Sequence, residues 1–144
     1  MQMRGRTSGL SGWSQPLRTT GSAASCTVST VISGSGVQTD LIASPGEFAF
    51  FESELRPTGP NEFEEAGEIT FGEGTSHMLR FSTAGSGHFT TDFEPGTLAG
   101  SASWRIEGGA GQFSGAQGFI TSNFTLTAGG DRCDFHCGVI FLPD

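Results

Sequence analysis

The sequence predicts an all-β fold: a single antiparallel barrel of about eight strands, preceded by an irregular N-terminal arm. Three observations carry this. Glycine (23 residues) and phenylalanine (13 residues) are abundant, which suits many tight turns around an aromatic interior. Short β-prone runs recur at even spacing between Gly, Pro and Asp clusters, with no convincing helix of useful length. The 144 residues suffice for one core or one closed barrel but not for two cores. Closure would also remove the exposed strand edges that so β-prone a chain would otherwise present.

The charge is divided along the chain. Residues 1 to 39 carry Arg4, Arg6 and Arg18 without an acid, whereas the remainder holds all fifteen acids against four arginines. The net charge of −8 argues against a nucleic-acid partner, which would call for a basic face. Lysine is absent, and with it any Walker-type phosphate loop or Schiff-base mechanism. No run approaches the ~18 apolar residues of a membrane span, and the start lacks the apolar core of a secretory signal. A cytoplasmic location is therefore expected.

Taken in order, residues 1–25 are rich in Ser, Thr and Gly without hydrophobic period. They read as a disordered arm, or as a lid over a barrel mouth anchored by Trp13 and Leu17; residues 26–144 form the barrel domain. Cys26 to Ser33 is β-branched and ends at the turn Gly34-Ser35-Gly36. Glu47 to Leu55 places Phe48, Phe50 and Phe51 on both faces, as in a strand covered on both sides. Arg56-Pro57-Thr58-Gly59-Pro60-Asn61 is a loop. A short helix over Asn61 to Ala66, with Asn61 as its N-cap, competes with a strand there; Glu68 to Phe71 reads as strand.

His77 to Thr83 and His88 to Phe93 are separated by Ala84-Gly85-Ser86-Gly87, a hairpin spacing. After the turn Glu94-Pro95-Gly96-Thr97, Leu98 to Glu107 alternates cleanly: Ala102, Trp104 and Ile106 share one face, and Ser101, Ser103, Arg105 and Glu107 the other. Phe119 to Thr127 alternates likewise, Ala128 to Asp131 closes a hairpin, and Cys133 to Leu142 is the last strand.

Between two of these strands lies Gly108-Gly109-Ala110-Gly111-Gln112-Phe113-Ser114-Gly115-Ala116-Gln117-Gly118-Phe119. Its five glycines fit a twisted reversal, and Phe113 and Phe119 are placed to plug the end of the sheet. The stretch resembles the Gly-Gly-Thr-Gly-x-Phe-x-Gly-Ala-x-Gly turn of the allene-oxide-cyclase-like barrels, which include dirigent proteins. The match covers residues 98 to 142, with Ala110 where Thr is usual. Gln117 replaces the basic residue of dirigent proteins, and the chain has no tyrosine. The resemblance implies a barrel with a hydrophobic lumen that steers the cyclisation of a reactive apolar molecule mainly by holding its conformation.

Other motifs are missing. Cys133 and Cys137 flank His136, but on a strand they lie about 13 Å apart on one face, too far for a disulfide or a shared zinc. They are expected to be buried, inert thiols, with a bridge to Cys26 geometrically open. No metal site is expected. No Gly-x-Ser-x-Gly elbow, His-Glu-x-x-His pair or complete Gly-x-Gly-x-x-Gly occurs. Asn123-Phe124-Thr125, formally a glycosylation sequon, reads as strand.

What remains are polar residues set within apolar strands. Asp134, His136 and Asn123 lead, because a polar side chain on such a strand needs a partner. The catalytic candidates are His136, Asn123 and Glu73, polarising a carbonyl. Phe50, Phe71, Trp104, Phe124 and His88 would shape the substrate site. Arg105, His77 and Arg80 are weaker candidates. The expected function is a cofactor-free cyclase or isomerase acting on a polyene, fatty-acid or polyketide-derived intermediate in the lumen. The alternatives are a non-catalytic carrier of hydrophobic small molecules and a barrel packed solid by its phenylalanines. The expected partner is a hydrophobic small molecule, with no nucleic acid or membrane; a homodimer is left open.

Overall fold

The computed structural model describes residues 1–8, 15–72 and 74–143, and for residues 24–32, 37, 39–47, 92 and 93 their backbone alone. Nine strands follow in order: β1 (Gln2–Ser8), β2 (Leu17–Ser33), β3 (Gly36–Pro57), β4 (Glu62–Phe71), β5 (Met78–Thr83), β6 (Gly87–Glu94), β7 (Thr97–Ala110), β8 (Gln117–Thr127) and β9 (Asp131–Phe141). All pairings are antiparallel, and β1 joins both β2 and β9, so the sheet closes into a barrel. Among the described residues the only helical element is a 3-10 turn at Gly111–Phe113. No helix among them is long and apolar enough to cross a membrane.

The barrel has eight strand positions although it has nine strands. β5 pairs with the second half of β7, and β6 with its first half. β4 likewise meets β5 through Ala66 to Thr70 and β6 through Glu62 and Phe63. β5 and β6 therefore run in one direction along the same column, interrupted at residues 84–86. The hairpin expected there does not form, because both segments find continuous partners in β4 and β7.

Two further expectations give way to the barrel. The helix weighed over Asn61 to Ala66 is the start of β4, whose period of two buries Phe63, Glu65 and Ile69 and exposes Glu62, Glu64 and Glu68. The irregular arm expected over residues 1–25 is barrel wall at residues 2–8 and 17–25. Its inward residues, Met3, Thr7, Leu17, Thr19 and Ala23, are buried; small β-compatible side chains suffice where neighbouring strands supply the bulk. Trp13 lies outside the described residues. The β2–β3 pairing continues past the barrel, beyond a bulge between Ala24 and Cys26, to the turn at Ser33–Gly36.

The middle of the lumen is filled. Phe81 stacks on Trp104 with ring centroids 4.2 Å apart, and Phe51 stacks on both at 5.6 Å. Phe124 and Phe63 meet edge to face at 5.7 Å. Gly100 makes this packing fit: it faces Phe124 across the β7–β8 pair, and a Cβ there would overlap the phenyl ring. The glycine turn closes the end of the barrel from which the β2–β3 hairpin projects. Gly111 adopts φ 62° and lies so close to the Ser76 carbonyl and the His77 ring that no Cβ would fit; the Gln112 N–H donates to His77 Nδ1 at 3.1 Å. Phe113 packs on Phe71 (4.8 Å), as a plug should. Phe119 does not share that role, since its inverted parity leaves it 54% exposed on the outer wall.

Candidate functional site

The strand β9 turns Arg132, Asp134 and His136 inward, one after another. This is the consequence of a two-residue period: the ionisable residues occupy one parity and Cys133, Phe135 and Cys137 the other. Burying two or three charges in a barrel of aromatic rings is costly unless each is paired. The pairing is complete for Arg132. Its Nη1 and Nη2 donate to Glu65 at 2.9 and 3.3 Å, its Nε and Nη2 to Asp134 Oδ2 at 3.1 and 2.7 Å, and Nη1 also reaches Thr19 Oγ1 at 3.4 Å. All five N–H groups of the guanidinium thus face an acceptor. Its plane also lies over the Phe124 ring at 4.2 Å.

The carboxylates are held in turn. Ser53 Oγ donates to Glu65 Oε1 (2.7 Å), and Ser122 Oγ donates to Asp134 (2.8 Å). Burial opposes the charge of Arg132, but Glu65 and Asp134 outweigh it and raise its pKa above the ordinary value. Burial also pushes the Asp134 carboxyl up; the imidazole of His136, the guanidinium of Arg132 and the Ser122 hydroxyl outweigh it and hold that carboxyl below the usual range.

His136 ends the network. Its Nε2 lies 3.2 Å from Asp134 Oδ2, off the line of the ring N–H, so the contact is an ion-pair distance and not a formed hydrogen bond. Nδ1 has no partner, and neither has Trp104 Nε1, although the two rings touch edge to face at 4.8 Å. An unpartnered buried nitrogen is unusual and marks a place where a ligand can supply the missing bond. The same histidine borders a pocket of about 280 Å³ at the barrel mouth beside the glycine turn, lined also by Ile69, Phe71, Ile120 and Ile140 together with Met1, Cys137 and Gly138.

Of the residues selected from sequence, His136, Phe71 and Trp104 are brought together at or beneath this mouth, whereas Phe124, though inward, packs on Phe63 and Arg132 deeper in the barrel. Asn123, His88 and Phe50 are not brought there. They sit at the outward parity of their strands, exposed, with Phe50 at 51%; each alternates with the inward neighbour that fills the lumen, Phe124, Phe89 and Phe51. The double coverage expected for the Phe48–Phe51 stretch fails for the same reason. Glu73 lies outside the described residues, as does the side chain of Cys26. His77, Arg80 and Arg105 are exposed. Cys133 is half-buried and Cys137 exposed, free thiols on the outer wall and not the buried ones expected.

Glu65 and Arg132 were missed. Arg132 was legible as the parity mate of Asp134 and His136. Glu65 carried a weaker signal, an acid at the apolar parity of Phe63 and Ile69. Among known families, curated proteins and solved structures, no match to the chain is found.

Proposed function

We propose that the protein is a cofactor-free isomerase or cyclase that takes the reacting end of an apolar molecule into the mouth pocket and uses His136 as its acid–base group. The observation carrying this reading is the junction at His136: a side chain 3% exposed, with an unpartnered Nδ1, borders an apolar pocket on one side and a buried carboxylate on the other. Asp134 lies at ion-pair distance from Nε2, and Nδ1 is the nitrogen assigned to exchange a proton with a bound carbonyl or its α-carbon. The apolar walls fix the conformation of the substrate, and conformational restriction is the main contribution such a reaction requires. The resemblance of the glycine turn to the allene-oxide-cyclase-like barrels supports the same class. The filled lumen confines the reacting end to the mouth, so the rest of the molecule lies against the glycine turn and the base of the β2–β3 hairpin.

A panel of apolar β,γ-unsaturated ketones, incubated in D₂O, tests this. The expected result is saturable isomerisation or α-deuteration that is lost in His136→Gln and in Ile120→Trp, which fills the pocket, while both variants retain the native circular dichroism. Saturable binding of the same ketones without exchange would overturn catalysis and leave a hydrophobic carrier. Absence of binding by the folded protein would leave a solid barrel.

A further inference from the structure

Opposite walls of the barrel carry opposite surface chemistry. On β3 and β4 the exposed residues include Glu52, Glu54, Glu62, Glu64 and Glu68 against Arg56. On β8 the outward residues from Gln117 to Thr125 are Gln, Phe, Thr, Asn and Thr, and on β9 those from Cys133 to Phe141 are Cys, Phe, Cys, Val and Phe. None of these ten is charged. In the ring of eight positions, β3 and β4 stand diametrically across from β8 and β9.

The uncharged wall also carries most of the exposed apolar bulk, the exceptions among the described residues being Phe48 and Phe50 on β3. Phe119, Phe135, Val139 and Phe141 are 54–66% exposed, and Leu142 follows at 51%. Phe119 pairs directly with Val139 and Asn123 with Phe135, so the side chains form one continuous patch. At ~200 Å² for a fully exposed phenyl ring, the patch presents about 500 Å² of apolar surface, at the upper end for a solitary chain. With its rim it approaches the ~800 Å² that each partner contributes to a stable complex. That rim is polar: Gln2 and Arg4 on β1, and Ser101, Ser103, Arg105 and Glu107 on β7. Beside it, a groove of about 600 Å³ between Arg105 and Phe141, floored by Gly108, Gly115 and Gly118, offers a recess for a ring.

We infer that the β8–β9 wall is the interface of a twofold homodimer. Charge chooses the occupant. Two copies of a chain of net charge −8 repel each other over most orientations, but packed through these walls they bury no like charges, and their glutamate-rich walls point to opposite sides of the assembly. A twofold axis brings the same patch of both copies together, and a self-complementary arrangement of groove and rings serves such an axis.

Sedimentation velocity of the full chain under reducing conditions, from micromolar to sub-millimolar concentration, tests the inference; the reductant keeps the exposed Cys137 from cross-linking copies. A discrete dimer is expected. Val139→Glu and Phe119→Glu should each weaken it by about 30-fold or more, as for a central interface residue. Both positions are more than half exposed, so the variants keep the native circular dichroism. Glu64→Gln on the opposite wall should leave the dimer intact. A monomer throughout, a different discrete stoichiometry, or a dimer indifferent to both glutamate variants would overturn the interface.

Discussion

Arg132 and Glu65 stand on diametrically opposite strands of the barrel and meet across its axis through two contacts of 2.9 and 3.3 Å. The side chain of Arg132 is 3% exposed and that of Glu65 is fully buried. The bridge ties β4 to β9, which no backbone hydrogen bond connects. Removing one partner strands the other in an aromatic interior. Arg132→Met is therefore expected to destabilise by about 3–5 kcal/mol in urea unfolding. Glu65→Leu combined with Arg132→Met should cost clearly less than the two single changes added together. Additivity in that cycle would show that the bridge is not an energetic unit.

The lowered pKa of Asp134 ties stability to acid. Its folded value lies below the ordinary carboxylate value of 3.8, so its contribution is complete above the unfolded value and is lost as pH falls through the folded one. Thermal melts from neutral pH down to about pH 2 should show a decline beginning near pH 4. Asp134→Asn should melt lower at neutral pH and show a shallower decline over that acid range. An unchanged slope would assign the acid sensitivity to other carboxylates.

Gly100 carries a packing requirement that propensity hides. A methyl group there would overlap the Phe124 ring, which cannot retreat because Arg132 lies over its face. Gly100→Ala should cost about 1–3 kcal/mol despite the gain in strand propensity. Gly100→Ala combined with Phe124→Leu should recover part of that loss in chemical unfolding, since the smaller side chain removes the overlap.

The indole of Trp104 contributes area and no hydrogen bond. Its Nε1 is buried without a partner, so Trp104→Phe removes an unsatisfied donor together with some contact surface. A cost of about 1–2 kcal/mol is expected, well below the ~3–5 kcal/mol of Trp104→Ala. A phenylalanine variant as damaged as the alanine one would mean that the N–H is satisfied in solution.

The alternation of Ala102, Trp104 and Ile106 with Ser101, Ser103 and Arg105 was enough to orient β7 correctly, because a strand with one wet face writes its orientation into two residue classes. His136 and Asp134 stood out in β9 as polar side chains within an otherwise apolar strand, which need partners; the face they occupy was decided by the barrel. The rule failed at Asn123 and Phe50, where a polar residue between apolar ones and an aromatic run read as lumen but face outward.

By itself, then, the sequence determined the antiparallel β class, most strand positions and the glycine turn, because these depend on period and turn chemistry within a few residues. Only the tertiary structure decided that residues 2–8 close the ring, that β5 and β6 share one column, and that Glu65 supplies the counter-charge for Arg132 from 67 residues away. Those features follow from barrel closure. Closure fixes which strands lie opposite one another, and no local pattern encodes a distance across the axis.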